Sequence, residues 1–246
     1  MNRMIASLMV AAAFVPGAAL ADEGRGFYGS LEAGVNAVSD VPVTIYDADG
    51  TFGVANGTKD TVEGSYDLKS AAMFGGTLGY DFGTVRADLQ IAYARNSIRA
   101  VSLAKVNGTA VTLTGADATD FCDYIEYTNC TLSGTNTVNF ASGPKLRQLS
   151  AMANLWFDIP MGGKVEPYIG GGLGVAGFEV DGEGKGKFAW QIGAGVAFKL
   201  SDSIALTADF RHRRVSKVDV AYDAVSGYQL GKIKTTSYGL GLRVGF

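Results

Sequence analysis

The sequence predicts an all-β fold: an eight-stranded, antiparallel, up-and-down transmembrane β-barrel with short periplasmic turns and long extracellular loops. Three observations lead there. Apolar and other residues alternate with period two along most of the chain, while no segment holds a helical period. The connections between these stretches alternate between long and short, as the two rims of such a barrel require. The composition is 47% hydrophobic and only 18% charged, with 34 glycines and 5 prolines, which suits many turns and closely approaching strands. A net charge of -3 gives no footprint for nucleic acid.

The first residues read as an export signal. Arg3 precedes the apolar run IASLMVAAAFV, Pro16-Gly17 breaks it, and Ala19-Leu20-Ala21 has the small-x-small form of a cleavage site. The run is too short for a spanning anchor. The expected organisation is therefore a cleaved signal peptide over 1–21 and one barrel domain over 22–246. Export carries Cys122 and Cys130 to an oxidising compartment. Their segment, TDFCDYIEYTNCTLSG, has no His and no second cysteine pair, so a disulfide closing a short loop is expected over a zinc site or two free thiols.

The strands follow in order. FYGSLEAGV (27–35) sets Phe27, Leu31 and Val35 against Tyr28, Ser30 and Glu32. A long polar stretch, about 39–66, separates it from AAMFGGTLGYDF (71–82), which puts Ala72, Phe74, Leu78 and Tyr80 on its outer face. The tight Phe82-Gly83-Thr84 turn leads to VRADLQIAY (85–93), with Val85, Leu89, Ile91 and Tyr93 outward and Arg86, Asp88 and Gln90 inward. The longest connection, about 103–144, follows. LSAMANLWFDI (149–159), VEPYIGGGLGV (165–175), KFAWQIGAGVAFKL (187–200) and SIALTADF (203–210) continue the series, joined by PMGG, by the DGEGKG loop (181–186) and by Ser201-Asp202. VAYDAVSGYQLGK precedes the last strand, SYGLGLRVGF (237–246), whose apolar row is Tyr238, Leu240, Leu242, Val244 and Phe246.

A soluble barrel also alternates, but its polar face meets water. Here those faces hold too few charges and too many glycines for that, whereas the apolar faces carry Phe, Tyr, Leu, Val and Trp190, a composition for hydrocarbon with aromatics at its borders. Only a closed barrel satisfies every backbone group of a sheet in lipid. Eight strands enclose a lumen that side chains can fill. The inward charges on this register are Glu32, Asp88, Glu166 and Asp209 against Arg86, Lys199, Arg211 and Arg243, a balance that predicts a plugged, charge-paired interior and not a one-signed pore.

Two stretches bear on whether the chain carries catalytic or metal chemistry. His212, in ADFRHRRVSKVD, has Arg214 two residues on and Ser216 four on, too far for a base and its nucleophile. It is expected beside a basic cluster of Arg211, Arg213, Arg214 and Lys217 able to meet lipopolysaccharide phosphates. Asp47-Ala48-Asp49-Gly50 lacks the remaining ligands of a calcium loop and reads as a turn. No catalytic, cofactor or metal residues are assigned.

GFYGSLEAGV, the stretch NLWFDIPMGGKVEPYIGGGLGVA (154–176), FAWQIGAGVAFKLSDSIALTADFRHR (188–213) and SYGLGLRVGF resemble the opacity-protein and surface-antigen families of bacterial outer membranes. The most specific part is a strand ending near Asp158, a tight turn, and Pro167-Tyr168-Ile169-Gly170 opening a glycine-rich strand. The 103–144 loop with its cysteine pair departs from the family pattern. The resemblance implies an eight-stranded barrel in the outer membrane of a Gram-negative bacterium. It implies a structural, antigenic or adhesin-like role, with a small diffusion pore and a lipid-modifying enzyme as the alternatives. It also implies no cofactor and, as partners, outer-membrane lipid, lipopolysaccharide and the assembly machinery, which would read Phe246 and its apolar row; it names no extracellular partner.

Overall fold

The computed structural model describes residues 25–53, 55–180 and 183–246; the expected signal segment lies outside the described residues. The chain climbs on β1 (Gly26–Val38), folds back through β2 (Val41–Asp47) and β3 (Asp60–Leu68), and descends on β4 (Ala71–Asp81). At the Phe82–Thr84 turn Gly83 takes φ 105°, a conformation that glycine adopts without strain, and its N–H donates to Asp81. β5 (Val85–Val106) climbs again. β6 (Thr109–Ala110), helix α1 (Gly115–Tyr124), β7 (Cys130–Ser133) and β8 (Thr137–Phe140) intervene before β9 (Lys145–Asp158) descends. β10 (Val165–Val180), β11 (Glu183–Lys199) and β12 (Ile204–Val215) follow. The short β13 (Val218–Ala221) and β14 (Gly227–Leu230) then lead to β15 (Ile233–Gly245).

Eight of the described strands close a ring: β1, β15, β12, β11, β10, β9, β5, β4 and back to β1, each pair antiparallel. One ladder of cross-strand partners runs Lys234, Arg214, Trp190, Leu173, Ala153, Leu89, Leu78, Gly29, Val244. It leaves β15 at 234 and rejoins it at 244, a stagger of ten residues. For eight strands that stagger fixes a tilt of roughly 40° to the barrel axis.

The outward row of each long strand is apolar and uncovered: Leu31 is 75% exposed, Leu240 71% and Leu89 67%. Such a belt is far larger than the apolar patches soluble proteins leave in water, and hydrocarbon is the solvent that suits it. Among the described residues no helix is long and apolar enough to cross a membrane, so the strands do the crossing.

Above this belt the alternation continues with its polarity reversed. β5 was expected to stop at Tyr93 but runs to Val106. Past Tyr93 its outward positions are Arg95, Ser97 and Arg99, while Ala94, Ile98 and Ala100 are buried. β9 likewise starts at Lys145, with Arg147 outward and Leu146 inward. The barrel therefore rises out of lipid, and its projecting part folds like a water-soluble sheet around an apolar interior that includes Val38, Val101, Val138, Phe178, Val215 and Ile233.

The long connections, expected as extracellular loops, carry strands and a helix of their own. β2 and β3 lie in the first of these connections, β3 running on to Leu68, and β13 and β14 form a hairpin within 218–230; the sheet order β13-β14-β2-β3-β5 carries the barrel wall upward. The DGEGKG stretch is also largely strand, since β11 begins at Glu183. The expectation of no helix fails at α1. Thr114 and Asp117 form a capping box there, Thr114 N–H donating to Asp117 Oδ2 at 2.7 Å and Asp117 N–H to Thr114 Oγ1 at 3.3 Å. Only Ala118 and Cys122 of this helix are buried, too few to write a helical period into the sequence.

Cys122 and Cys130 are joined by a disulfide that ties α1 to β7 across eight residues of separation. Closing so short a loop stabilises the folded cap by about 2–3 kcal/mol. Changing both cysteines to Ser should speed amide hydrogen exchange across 115–133, while exchange in the membrane-embedded part of β5, 85–93, stays unchanged.

Candidate functional site

Two regions can carry function: the interior of the barrel and the cap above it. At the short-turn rim Glu166 on β10 accepts from Lys199 of β11 at 3.1 Å and pairs with Arg243 of β15 at 3.6 Å. One layer up, Arg86 of β5 grips Asp158 of β9 with two parallel bonds, Nε to Oδ2 at 2.7 Å and Nη2 to Oδ1 at 2.8 Å. The same guanidinium lies 4.7 Å from the ring centre of Tyr168 and 5.6 Å from that of Tyr28. Both rings need a glycine opposite them. A Cβ at Gly79 would stand 2.6 Å from Tyr28 Cζ, and one at Gly195 would stand 2.4 Å from Tyr168 Cζ.

The middle layer joins opposite walls. Arg211 of β12 donates from Nη1 to both oxygens of Glu32 on β1, at 2.7 and 2.6 Å, and from Nη2 to Asp209 at 3.2 Å. Tyr168 also donates to Asp209, at 2.7 Å. Gln90 donates to Glu32, and Gln191 of β11 donates to Gln90 at 3.1 Å and to Asn154 at 2.7 Å. Among the described residues Asp88 makes no ion pair; Tyr28, Trp156 and Asn154 all donate to it, at 2.8, 2.9 and 2.7 Å. Arg213 donates to Gln191 Oε1 at 3.1 and 3.0 Å, and above it Asn36 and Gln148 donate to Asn96. Buried Met73, Ala92, Ala94 and Met152 then pass into the apolar interior of the cap.

Glu32, Arg86, Asp88, Glu166, Lys199, Asp209, Arg211 and Arg243 thus all point into the barrel and share one connected arrangement. Sequence reasoning missed Asp158, Arg213 and the neutral members Tyr28, Asn154, Trp156 and Gln191. Parity would have found Asp158, because it alternates with Asn154 and Trp156. The basic cluster at 211–217 is corrected for the same reason. Period two turns Arg211 and Arg213 inward, only His212 and Arg214 face outward, and Lys217 lies past the end of β12. His212 Nδ1 sits 3.1 Å from Thr236 Oγ1, and Ser216 lies beyond the end of the strand.

On β15, Tyr238, Leu240, Leu242 and Phe246 are exposed on the outer face beside half-buried Val244, and Phe246 N–H donates to Phe27 at 2.9 Å. In the cap, Asp49 accepts the N–H groups of Asn56 and Gly57, which makes the DADG stretch a turn. Among the described residues no three His, Cys, Asp or Glu side chains are grouped to hold a metal ion.

One buried carboxylate organises the cap. Asp60 accepts from Phe52 N–H at 2.6 Å and Asn107 Nδ2 at 3.0 Å, and the Phe52 N–H chiefly holds its carboxyl below the usual carboxylate range. A lowered folded pKa stabilises the cap fully above the unfolded value of about 3.9 and less as pH falls through the lowered one. Protection of 48–61 against hydrogen exchange should therefore weaken as pH drops below about 4, and Asp60→Asn should flatten that dependence.

Breaking the interior is costly, because a buried ion left without its partner forfeits about 3–5 kcal/mol. Arg86→Ala, which strands Asp158, should lower the unfolding free energy in detergent by that amount, and Arg95→Ala, on the outer face, by less than about 0.5 kcal/mol.

A family model described as outer membrane protein beta-barrel domain matches residues 5–246. Uncharacterized proteins of Brucella abortus and Brucella suis are 26% identical over 170 residues, covering 61% of this chain and 54% of each of those proteins. The chain thus spans about half the length of the curated relatives it matches. Among solved structures, the outer membrane protein OprG from Pseudomonas aeruginosa aligns with a TM-score of 0.48 at 14% identity, covering 91% of this chain and 98% of that one. Neisserial surface protein A aligns with a TM-score of 0.47 at 14% identity, covering 90% and 97%.

Proposed function

We propose, for a chain that belongs to the outer membrane protein β-barrel domain family, that the barrel is a closed, non-conducting scaffold holding a folded cap at the surface of a Gram-negative cell. The observation that carries this reading is the bridge from Arg211 through Glu32, Gln90 and Gln191 to Asn154, which crosses the lumen beneath an apolar plug. Ions crossing there would have to displace paired charges and then pass a layer lined mainly by apolar side chains, which do not replace their water.

On this reading the eight inward charges hold the barrel together and the cap does the recognising, in a structural, surface-antigen or adhesin-like role. The cap has the means to be specific: the disulfide, the capping box and the Asp60 bonds each fix a loop that water would otherwise leave mobile. The export signal over 1–21 and recognition of the Tyr238 to Phe246 row by the outer-membrane assembly machinery belong to the same proposal. His212 has no part in catalysis in it, since its polar neighbour is Thr236 on the lipid-facing side and no acid orients it.

Single-channel recording in planar bilayers tests the reading. The folded chain should add no steady unit conductance, whereas discrete reproducible steps from the purified protein would replace the scaffold with a diffusion pore.

A further inference from the structure

The cap exposes large apolar side chains at one place. Across 41–68, 107–144 and 218–230 those exposed among the described residues are Tyr124 at 42%, Tyr222 at 59% and Val225 at 42%. Tyr124 closes α1, whereas Tyr222 and Val225 belong to the turn between β13 and β14. β2 brings the two elements together. The Tyr124 hydroxyl donates to Asp47 Oδ2 at 2.6 Å, and the adjoining Tyr46 donates to Asp219 of β13 at 3.3 Å. Loss of water around it, then the Asp47 carboxylate and then nearby Tyr222 push the Tyr124 hydroxyl above the ordinary tyrosine range.

Both rings are held before any partner arrives. Tyr124 packs edge-on against Phe52 with ring centres 5.1 Å apart, close in sequence to the Cys122–Cys130 disulfide, and Tyr222 leans on Tyr228 at 5.7 Å. Aromatic side chains fixed in this way lose little freedom on binding, which suits them as interface anchors. The charge around them has one sign. The three stretches hold five, four and two acidic side chains in turn, against Lys59 as the single base. Asp67 is paired with Arg99 at the foot of the cap, whereas Asp47 and Asp219 take the tyrosine bonds and Asp223 accepts the N–H of Val225. Lys59 is committed to the Ala224 carbonyl at 2.9 Å and lies 5.1 Å from the centre of the Tyr46 ring.

We propose that Tyr124, Tyr222 and Val225 form a docking site for a lysine- and arginine-rich polypeptide segment. Its cations meet Asp47, Asp219 and Asp223, and its side-chain stems and guanidinium planes lie on the two tyrosine rings. Charge selects this occupant. A second copy of the chain would set acid against acid, and a sulfated or phosphorylated polymer would be repelled, whereas a cation gains from the carboxylates and the ring faces together. The inference rests on the reading of the cap as the recognising part of the molecule. The two fail separately: a peptide that does not bind removes this site alone, and conductance steps in a bilayer remove the closed scaffold and leave the patch in place.

The test is fluorescence anisotropy of a labelled peptide of alternating Arg and Ser, added to the folded, full-length chain in an uncharged detergent. A Glu and Ser peptide of the same length and a labelled neutral maltohexaose are the controls. The Arg peptide should bind over both, with an affinity that falls as salt rises. It should slow amide exchange across 46–52, 120–127 and 218–228 and leave 62–68, at the foot of the same cap, unchanged. Tyr222→Ser with Val225→Ser, which keeps every charge, should weaken binding roughly fivefold or more, and so should Asp219→Asn with Asp223→Asn. Asp40→Asn with Asp67→Asn removes the same charge away from the patch and should leave the affinity within about twofold. Comparable binding of the Glu peptide or the sugar, an unchanged affinity in either patch variant, an equal loss in the Asp40 and Asp67 variant, or no slowed exchange at the patch would each overturn the proposal.

Discussion

In hydrocarbon a backbone N–H has no water to bond when its strand partner is lost, so a sheet crossing a membrane must have no edge. Everything else here depends on the two seams that meet this constraint. β1 pairs with β15 and β5 pairs with β9, each over most of its length, and the stagger of ten residues they jointly fix sets how wide the interior is and which side chains share a layer. A one-residue slip at either seam would turn a lipid-facing row inward and a charged row into lipid. Register is therefore enforced by solvent on both faces at once.

The width that closure imposes decides the interior chemistry. Eight strands leave room for side chains but not for a hydrated channel, so charges that enter must find each other. Two solutions coexist. Glu32 and Asp158 take arginine, whereas Asp88 takes three neutral donors from three different residues. The second depends on register as much as on chemistry, because Asn154 lies directly opposite Asp88, Trp156 is one pleat along on the same strand, and Tyr28 reaches Asp88 over Gly79 on the strand between them. Glycine at 79 and 195 contributes by absence, giving Tyr28 and Tyr168 the space to lie flat against the wall.

How much of this was legible in the sequence follows from the same physics. The eight strands of the ring, their inward parity and the eight inward charges could be read because lipid outside and polar groups inside give alternation its strongest contrast, as in VRADLQIAY. The cap was harder to read. Past Tyr93 the solvent changes, the sense of the alternation reverses at Arg95, and a reading that asks for apolar residues outside stops there although the strand does not. Helix α1 was silent in periodicity because it buries two residues only, yet Thr114-x-x-Asp117 stood in the sequence as a local signal. The neutral partners of Asp88 were not legible at all, since their pairing depends on the register of β5 with β9 and, through Gly79 of β4, with β1.

The reversal at Tyr93 and Arg95 also explains how one chain combines a membrane-spanning barrel with a folded cap above it. Below it, stability comes from closure and from polar pairs sealed inside; above it, from apolar burial of the ordinary soluble kind, with the same strands continuing through both. Because the apolar interior of the cap sits directly on the polar layers, neither region presents a free end to water at the junction. The cap is thus seated on a rigid wall and not tethered to it. In the proposed recognition role its loops gain from that, since less of their ordering has to be done at the moment a partner arrives.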